Sequence, residues 1–139
     1  MNDKVFLDTN ILIYAHDADA GKKHGIAVEI VKDLWDKRTG VMSCQVLQEF
    51  YVNVTKKLSK PIKPLEAREL LRSYLCWDIR GNTPSSIIRA SEIEEKYRIS
   101  FWDALIVVAA YEAKASIILT EDMNSGQTIE GILIKNPLV

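Results

Sequence analysis

The chain is short of most features that announce a class. Its 139 residues hold two cysteines, two histidines, six glycines and four prolines. Two thiols make no disulfide framework, so a reducing compartment is expected; Cys44 and Cys76 each sit in an apolar stretch of sequence. No apolar run reaches the roughly 18–20 residues of a membrane span, and the opening MNDKVFLDTN carries an acid and enters a strand instead of the apolar core of a leader peptide. A soluble, cytoplasmic protein without membrane contact is the expectation. Net charge is also nearly absent, at −1. Bulk charge therefore announces no nucleic-acid binder, although a local basic patch could still hold phosphates. Cofactor and nucleophile templates are missing too: there is no Gly-rich phosphate loop, no G-x-S-x-G elbow, no base beside Cys44, and no Cys/His spacing for zinc.

What is present is the composition of an ordinary globular domain, 47% hydrophobic and 27% charged. The length suits one domain over residues 1–139. Short apolar runs alternate with helical patterns. VFL (5–7), GVMS (40–43), CWDI (76–79), SIILT (116–120) and GILI (131–134) read as strands. Between them, His24 to Lys37 repeats Ile26, Ile30 and Leu34 at helical spacing, with Gly40 closing the helix, and Ser43 can cap a helix whose apolar arc includes Val46, Phe50 and Val54. Pro64 opens a further helix, SSIIRASEIEEKY forms another, and FWDALIVVAAYEAKA is apolar nearly all round, the mark of a central buried helix. Strands separated by helices predict an α/β domain with a mainly parallel sheet, whose sites form outside the carboxyl ends of the strands.

Carboxylates stand where such sites form. Asp8 follows the first strand, Asp122 follows SIILT, Asp103 lies in the first turn of the buried helix, and Glu49 lies just off the apolar arc of its helix. Each has a plainer explanation. Asp8 or Asn10 can cap the short helix that follows, Ser100 and Asp103 have nearly the spacing of a capping box, Asp122 suits a turn, and a helical Glu is usually solvated. The coincidence of all four is what argues for a shared pocket. Two carboxylates about 4 Å apart repel by roughly 4 kcal/mol at an effective dielectric near 20, so such a cluster needs protons or a cation. All-oxygen ligands select Mg²⁺ or Mn²⁺, and such an ion suits phosphodiester hydrolysis. His16 and His24 are expected at the surface.

The segments FLDTNILIYA, QVLQEFYVNV, SFWDALIVVAAYEAKASIILTEDM and GILIKNP, taken together, resemble a PIN domain, and within that family the VapC-type toxins of prokaryotic toxin–antitoxin pairs. The likeness runs from about Val5 to Pro137. It implies a three-layer α/β/α sandwich around a mainly parallel sheet and a Mg²⁺- or Mn²⁺-dependent endoribonuclease. It makes Asp8, Glu49, Asp103 and Asp122 the metal-binding and catalytic acids, with Asn10 and Thr120 supporting the pocket; Glu121 competes with Asp122 for the inward position. An RNA substrate, a small protein antitoxin and a homodimer are the implied partners, and apolar residues between Leu58 and Leu75 are available for protein contacts. Lys56, Lys57, Arg89 and Arg98 are candidate phosphate contacts.

Three other functions compete. A haloacid-dehalogenase-like phosphatase needs a second Asp two residues after the first, where this chain has Asn10. A receiver-type signalling domain needs an acidic pair at the first strand and an Asp after the third, and neither is found. A PIN-like scaffold that binds RNA or protein without turnover would keep the same acids.

Overall fold

The apolar run at the start of the chain becomes the centre of a sheet. In a computed structural model that describes residues 3–139, β1 (Lys4–Leu7) pairs in parallel with β2 (Gly40–Ser43) on one side and with β4 (Ala115–Leu119) on the other. The remaining strands are β3 (Asp78–Arg80), β5 (Thr128–Ile129) and β6 (Ile132–Lys135), in the order β3-β2-β1-β4-β6-β5, with only the β5–β6 pair antiparallel. Five of these are the expected strands, displaced by at most two residues at their ends. The sixth, β5, is two residues long and folds back on β6, too short to leave a pattern in the sequence.

Among the described residues six α-helices connect the strands: α1 (Thr9–Ala15), α2 (Lys22–Lys37), α3 (Cys44–Lys56), α4 (Pro64–Tyr74), α5 (Pro84–Tyr97) and α6 (Phe101–Glu112). The crossovers β1 to β2 and β2 to β3 step one way across the sheet, and the crossover to β4 steps back past β1. Right-handed crossovers in opposite directions put their helices on opposite faces, α1 to α4 on one and α5 and α6 on the other. The result is the three-layer sandwich that the resemblance implies. α6 packs on β2, β4 and β6 with seven consecutive residues, Ala104–Ala110, buried, which explains its lack of a polar face. No helix among the described residues is long and apolar enough to cross a membrane.

The other face holds an aromatic cluster. Trp35, Phe50, Tyr74 and Trp77 meet edge to face or tilted at centroid distances of 5.0–6.4 Å, the arrangement that ring quadrupoles favour. His16 belongs to it and is not the surface residue expected. Its Nε2 lies 2.6 Å from the Tyr74 hydroxyl, and burial holds its pKa below the ordinary histidine value. Both cysteines are exposed in spite of their apolar neighbours in sequence. Arg89 pairs with Glu130, which removes it from the free cations.

Gly40 does not close α2. That helix ends through Arg38, in the left-handed conformation, whose N–H reaches the carbonyls of Leu34 and Trp35. Gly40 instead lies in β2 under the Trp77 indole, where a Cβ would come within 2.3 Å of the ring. Gly40→Ala is expected to overpack this contact and cost about 1–3 kcal/mol, read as a lower denaturant midpoint. An unchanged midpoint would mean that the indole has room to step aside.

Candidate functional site

The strand order reverses at β1. Successive connections run from β1 toward β2 and β3, and later ones come back to β4 and β6, so the carboxyl ends of β1 and β4 flank the crevice where open α/β sheets place their ligands. A backbone bond ties the two ends together, Asp8 N–H donating to the Leu119 carbonyl at 3.0 Å, and Thr120 N–H in turn donates to the Lys135 carbonyl of β6 at 3.0 Å. Asp8 and Thr120 therefore stand side by side on the floor of the crevice.

Asp8 does two jobs at once. It is the N-cap of α1, with Oδ1 accepting from Thr9 N–H at 2.7 Å, while Oδ2 accepts from the Thr120 hydroxyl at 2.8 Å. The capping explanation is thus true and incomplete, because a solvated cap needs no second donor and Asp8 is only 6% exposed. Burial pushes its carboxyl up to about 6; the Thr120 and Thr9 bonds pull the other way, and the charges of Asp122 and Asp103 push it further up. Thr120 is fully buried and uses its hydroxyl twice, donating to Asp8 and accepting from Asp122 N–H at 3.1 Å. It ties the turn that carries Asp122 to the acid at the end of β1.

Asp103 comes in from the opposite face of the sheet, in the first turn of α6. Ser100 caps that helix by accepting from Asp103 N–H at 3.0 Å. Burial raises the Asp103 pKa, the Ser100 hydroxyl opposes the shift, and the charge of Asp122 adds to it. Asp8, Asp103 and Asp122 thus lie within electrostatic reach of one another. Glu49 reaches the same rim from α3 and accepts from the Thr9 hydroxyl at 3.0 Å. Thr9 had no signal in the sequence, since its partner lies 40 residues away.

The neighbouring acid behaves differently. Glu121 turns outward to the Tyr14 hydroxyl and Lys23 Nζ, each at 2.6 Å. Burial alone would raise its pKa, but the bonds from Lys23 and Tyr14 prevail and hold it below the ordinary value. Asn10 accepts from Glu121 N–H through Oδ1 at 3.4 Å, while its Nδ2 is buried without a partner.

Among the described residues, no ion pair involves Asp8, Glu49, Asp103 or Asp122, and no three acidic, histidine or cysteine side chains are drawn close enough together to enclose an ion. The donor set still fits a hard divalent cation: carboxylate oxygens only, one carboxyl buried where its charged form is disfavoured, with no lysine or arginine paired to them among the described residues. Asp8, Asp103 and Asp122 are the residues that would hold such an ion, with Glu49 beside them.

The sheet order defines an α/β domain with carboxylates at the strand ends that flank its topological switch point. The chain belongs to the PIN domain family, whose profile matches residues 5–126. No curated protein matches it. Among solved structures, VapC20 of Mycobacterium tuberculosis, described as a sarcin–ricin loop cleaving toxin, superposes with a TM-score of 0.66 at 18% identity, over 86% of this chain and 90% of that one. A toxin–antitoxin complex from Klebsiella pneumoniae gives 0.70 at 18% identity over 96% and 98%. DNA-bound VapBC from Salmonella typhimurium gives 0.67 at 16% identity over 98% and 99%. At such identities these likenesses bear on the fold.

The raised Asp8 pKa has a thermodynamic sign. A carboxyl at about 6 in the folded chain, against its ordinary 3.8, favours folding fully below pH 3.8 and loses that contribution as pH rises through 6. The loss comes to about 3 kcal/mol at most. In EDTA, Asp8→Asn is therefore expected to melt above the wild type at pH 7.5 and to lose that advantage near pH 4. A variant that melts lower at both pH values would show that the Asp8 hydrogen bonds outweigh the cost of burying its charge.

Proposed function

We propose that the chain is a divalent-metal-dependent endoribonuclease and the toxin of a toxin–antitoxin pair. The observation that carries this reading is that Asp8, Asp103 and Asp122, from three separate elements near the switch point, lie within electrostatic reach of one another with no ion pair to a lysine or arginine among the described residues. Membership of the PIN domain family supports it, as do the toxin–antitoxin neighbours.

In this reading Asp8, Asp103 and Asp122 hold Mg²⁺ or Mn²⁺. A bound ion of this kind would make a water easier to deprotonate and would neutralise charge on the phosphate. Glu49, fixed by the Thr9 hydroxyl, orients the attacking water or takes its proton. Thr120 positions Asp8 and Asp122 through its two hydrogen bonds, and Asn10 holds the Glu121 backbone so that the Glu121 side chain stays on Lys23. The physiological partners in this reading are an RNA substrate, a small protein antitoxin and a second copy of the chain, all in the cytoplasm; a homodimer would elute at twice the chain mass.

The test is cleavage of a pool of structured and single-stranded RNAs with Mg²⁺, with Mn²⁺ and with EDTA. Cleavage is expected only with metal, and Asp103→Asn is expected to abolish it while remaining folded. RNA binding that ignores metal and never leads to cleavage would replace the nuclease with an inert scaffold.

A further inference from the structure

Trp102 is 65% exposed, more than any other aromatic side chain among the described residues. The other two indoles, Trp35 and Trp77, are packed in the aromatic cluster. Burying a large apolar side chain is worth roughly 1.5–3 kcal/mol, so the fold does not account for an indole left in water. Its place does suggest a use. Trp102 lies in the first turn of α6, directly before Asp103, with its ring edge to face with Phe101 at 5.4 Å.

The start of α6 also meets the start of α3, where Gln45 Nε2 lies 3.5 Å from the Trp102 carbonyl. From Gln45, a polar stripe runs along one face of α3 through Glu49 and Asn53 to Lys56, at spacings of four, four and three. Asn53 stays on this stripe by donating to the Glu49 carbonyl at 2.8 Å. Lys56 and Lys57 are exposed and make no ion pair among the described residues. The stripe therefore leads from the carboxylates to two free cations about 10 Å further along the helix. An aromatic face at one end and positive charge at the other are the two elements that hold unpaired nucleic acid.

We propose that Trp102 is a stacking platform for an unpaired base next to the scissile phosphate, and that the substrate is single-stranded RNA laid along the polar face of α3. This rests on the nuclease reading above. A duplex is disfavoured because its base faces are already stacked inside the helix. A protein partner is disfavoured at this spot because, Phe101 apart, the residues beside Trp102 are polar, Ser100, Gln45 and Asp103, whereas the larger apolar surface of Leu47, Val52, Leu71 and Leu75 lies between α3 and α4.

The experiment compares wild type, Trp102→Ala and Trp102→Phe on one oligoribonucleotide, presented as a single strand and annealed to its complement, with Mn²⁺. Trp102→Ala is expected to raise KM for the single strand at least about five-fold, in line with stacking energies of about 1–3 kcal/mol per base, with kcat within about two-fold and with Trp102→Phe retaining most of the affinity. An unchanged KM in Trp102→Ala overturns the platform and leaves the nuclease standing, as does a loss of dimer mass in that variant, which would make Trp102 an interface residue. Should the wild type cut no RNA, the nuclease reading fails on its own. The platform is then decided by tryptophan emission in Asp103→Asn. Quenching by the single strand that disappears in Asp103→Asn/Trp102→Phe keeps Trp102 as the residue that stacks an unpaired base, without the scissile phosphate beside it, and unchanged emission overturns it.

Discussion

The Thr120 hydroxyl bond to Asp8 is the contact on which the rest of the pocket depends. A carboxylate at the end of a central strand is deprived of water, and without a donor it would either take up a proton or pull the strand end apart. Thr120 supplies that donor from the adjacent strand end and uses the same oxygen to hold the Asp122 backbone. One buried hydroxyl thereby couples the acid after β1 to the acid after β4. The parallel pairing of these strands makes the bond possible, because it brings two carboxyl ends to the same edge of the sheet.

The helices complete the arrangement from both faces. α3 and α6 lie on opposite sides of the sheet, yet each begins at its carboxyl edge, so Glu49 and Asp103 approach one crevice from two directions. Their helix starts are fixed by serine caps, Ser43 to Val46 N–H at 3.3 Å and Ser100 to Asp103 N–H at 3.0 Å. Capping and function do not compete here. The cap sets where the helix begins, and the start of the helix sets where the acid stands. The aromatic cluster around Tyr74 lies on the α1–α4 face and holds α2, α3 and α4 together without taking part in the crevice.

Much of this was legible in the sequence, because apolar runs and helical spacing are local signals. The strands VFL, GVMS and SIILT and the all-apolar helix after Ser100 were recognisable from side-chain type alone, and their alternation was enough to place Asp8 and Asp122 at strand ends. What escaped depends on contacts between distant residues. Thr9 gains its role from Glu49, His16 is drawn inward by Tyr74 and Phe50, and Gly40 answers to Trp77 and not to the helix before it. The choice between Glu121 and Asp122 is likewise tertiary: Lys23 and Tyr14, about a hundred residues away in sequence, take Glu121 out of the crevice.

The central claim is that the buried charge of Asp8 is balanced by a divalent cation. The direct measurement is the thermal midpoint of the wild type and of Asp8→Asn at pH 7.5 as Mn²⁺ is titrated in. A ligand that binds only the folded state must raise the midpoint, so the wild type should climb with Mn²⁺ while Asp8→Asn stays level. A parallel rise in both proteins, or no rise in either, would contradict a cation site built on Asp8.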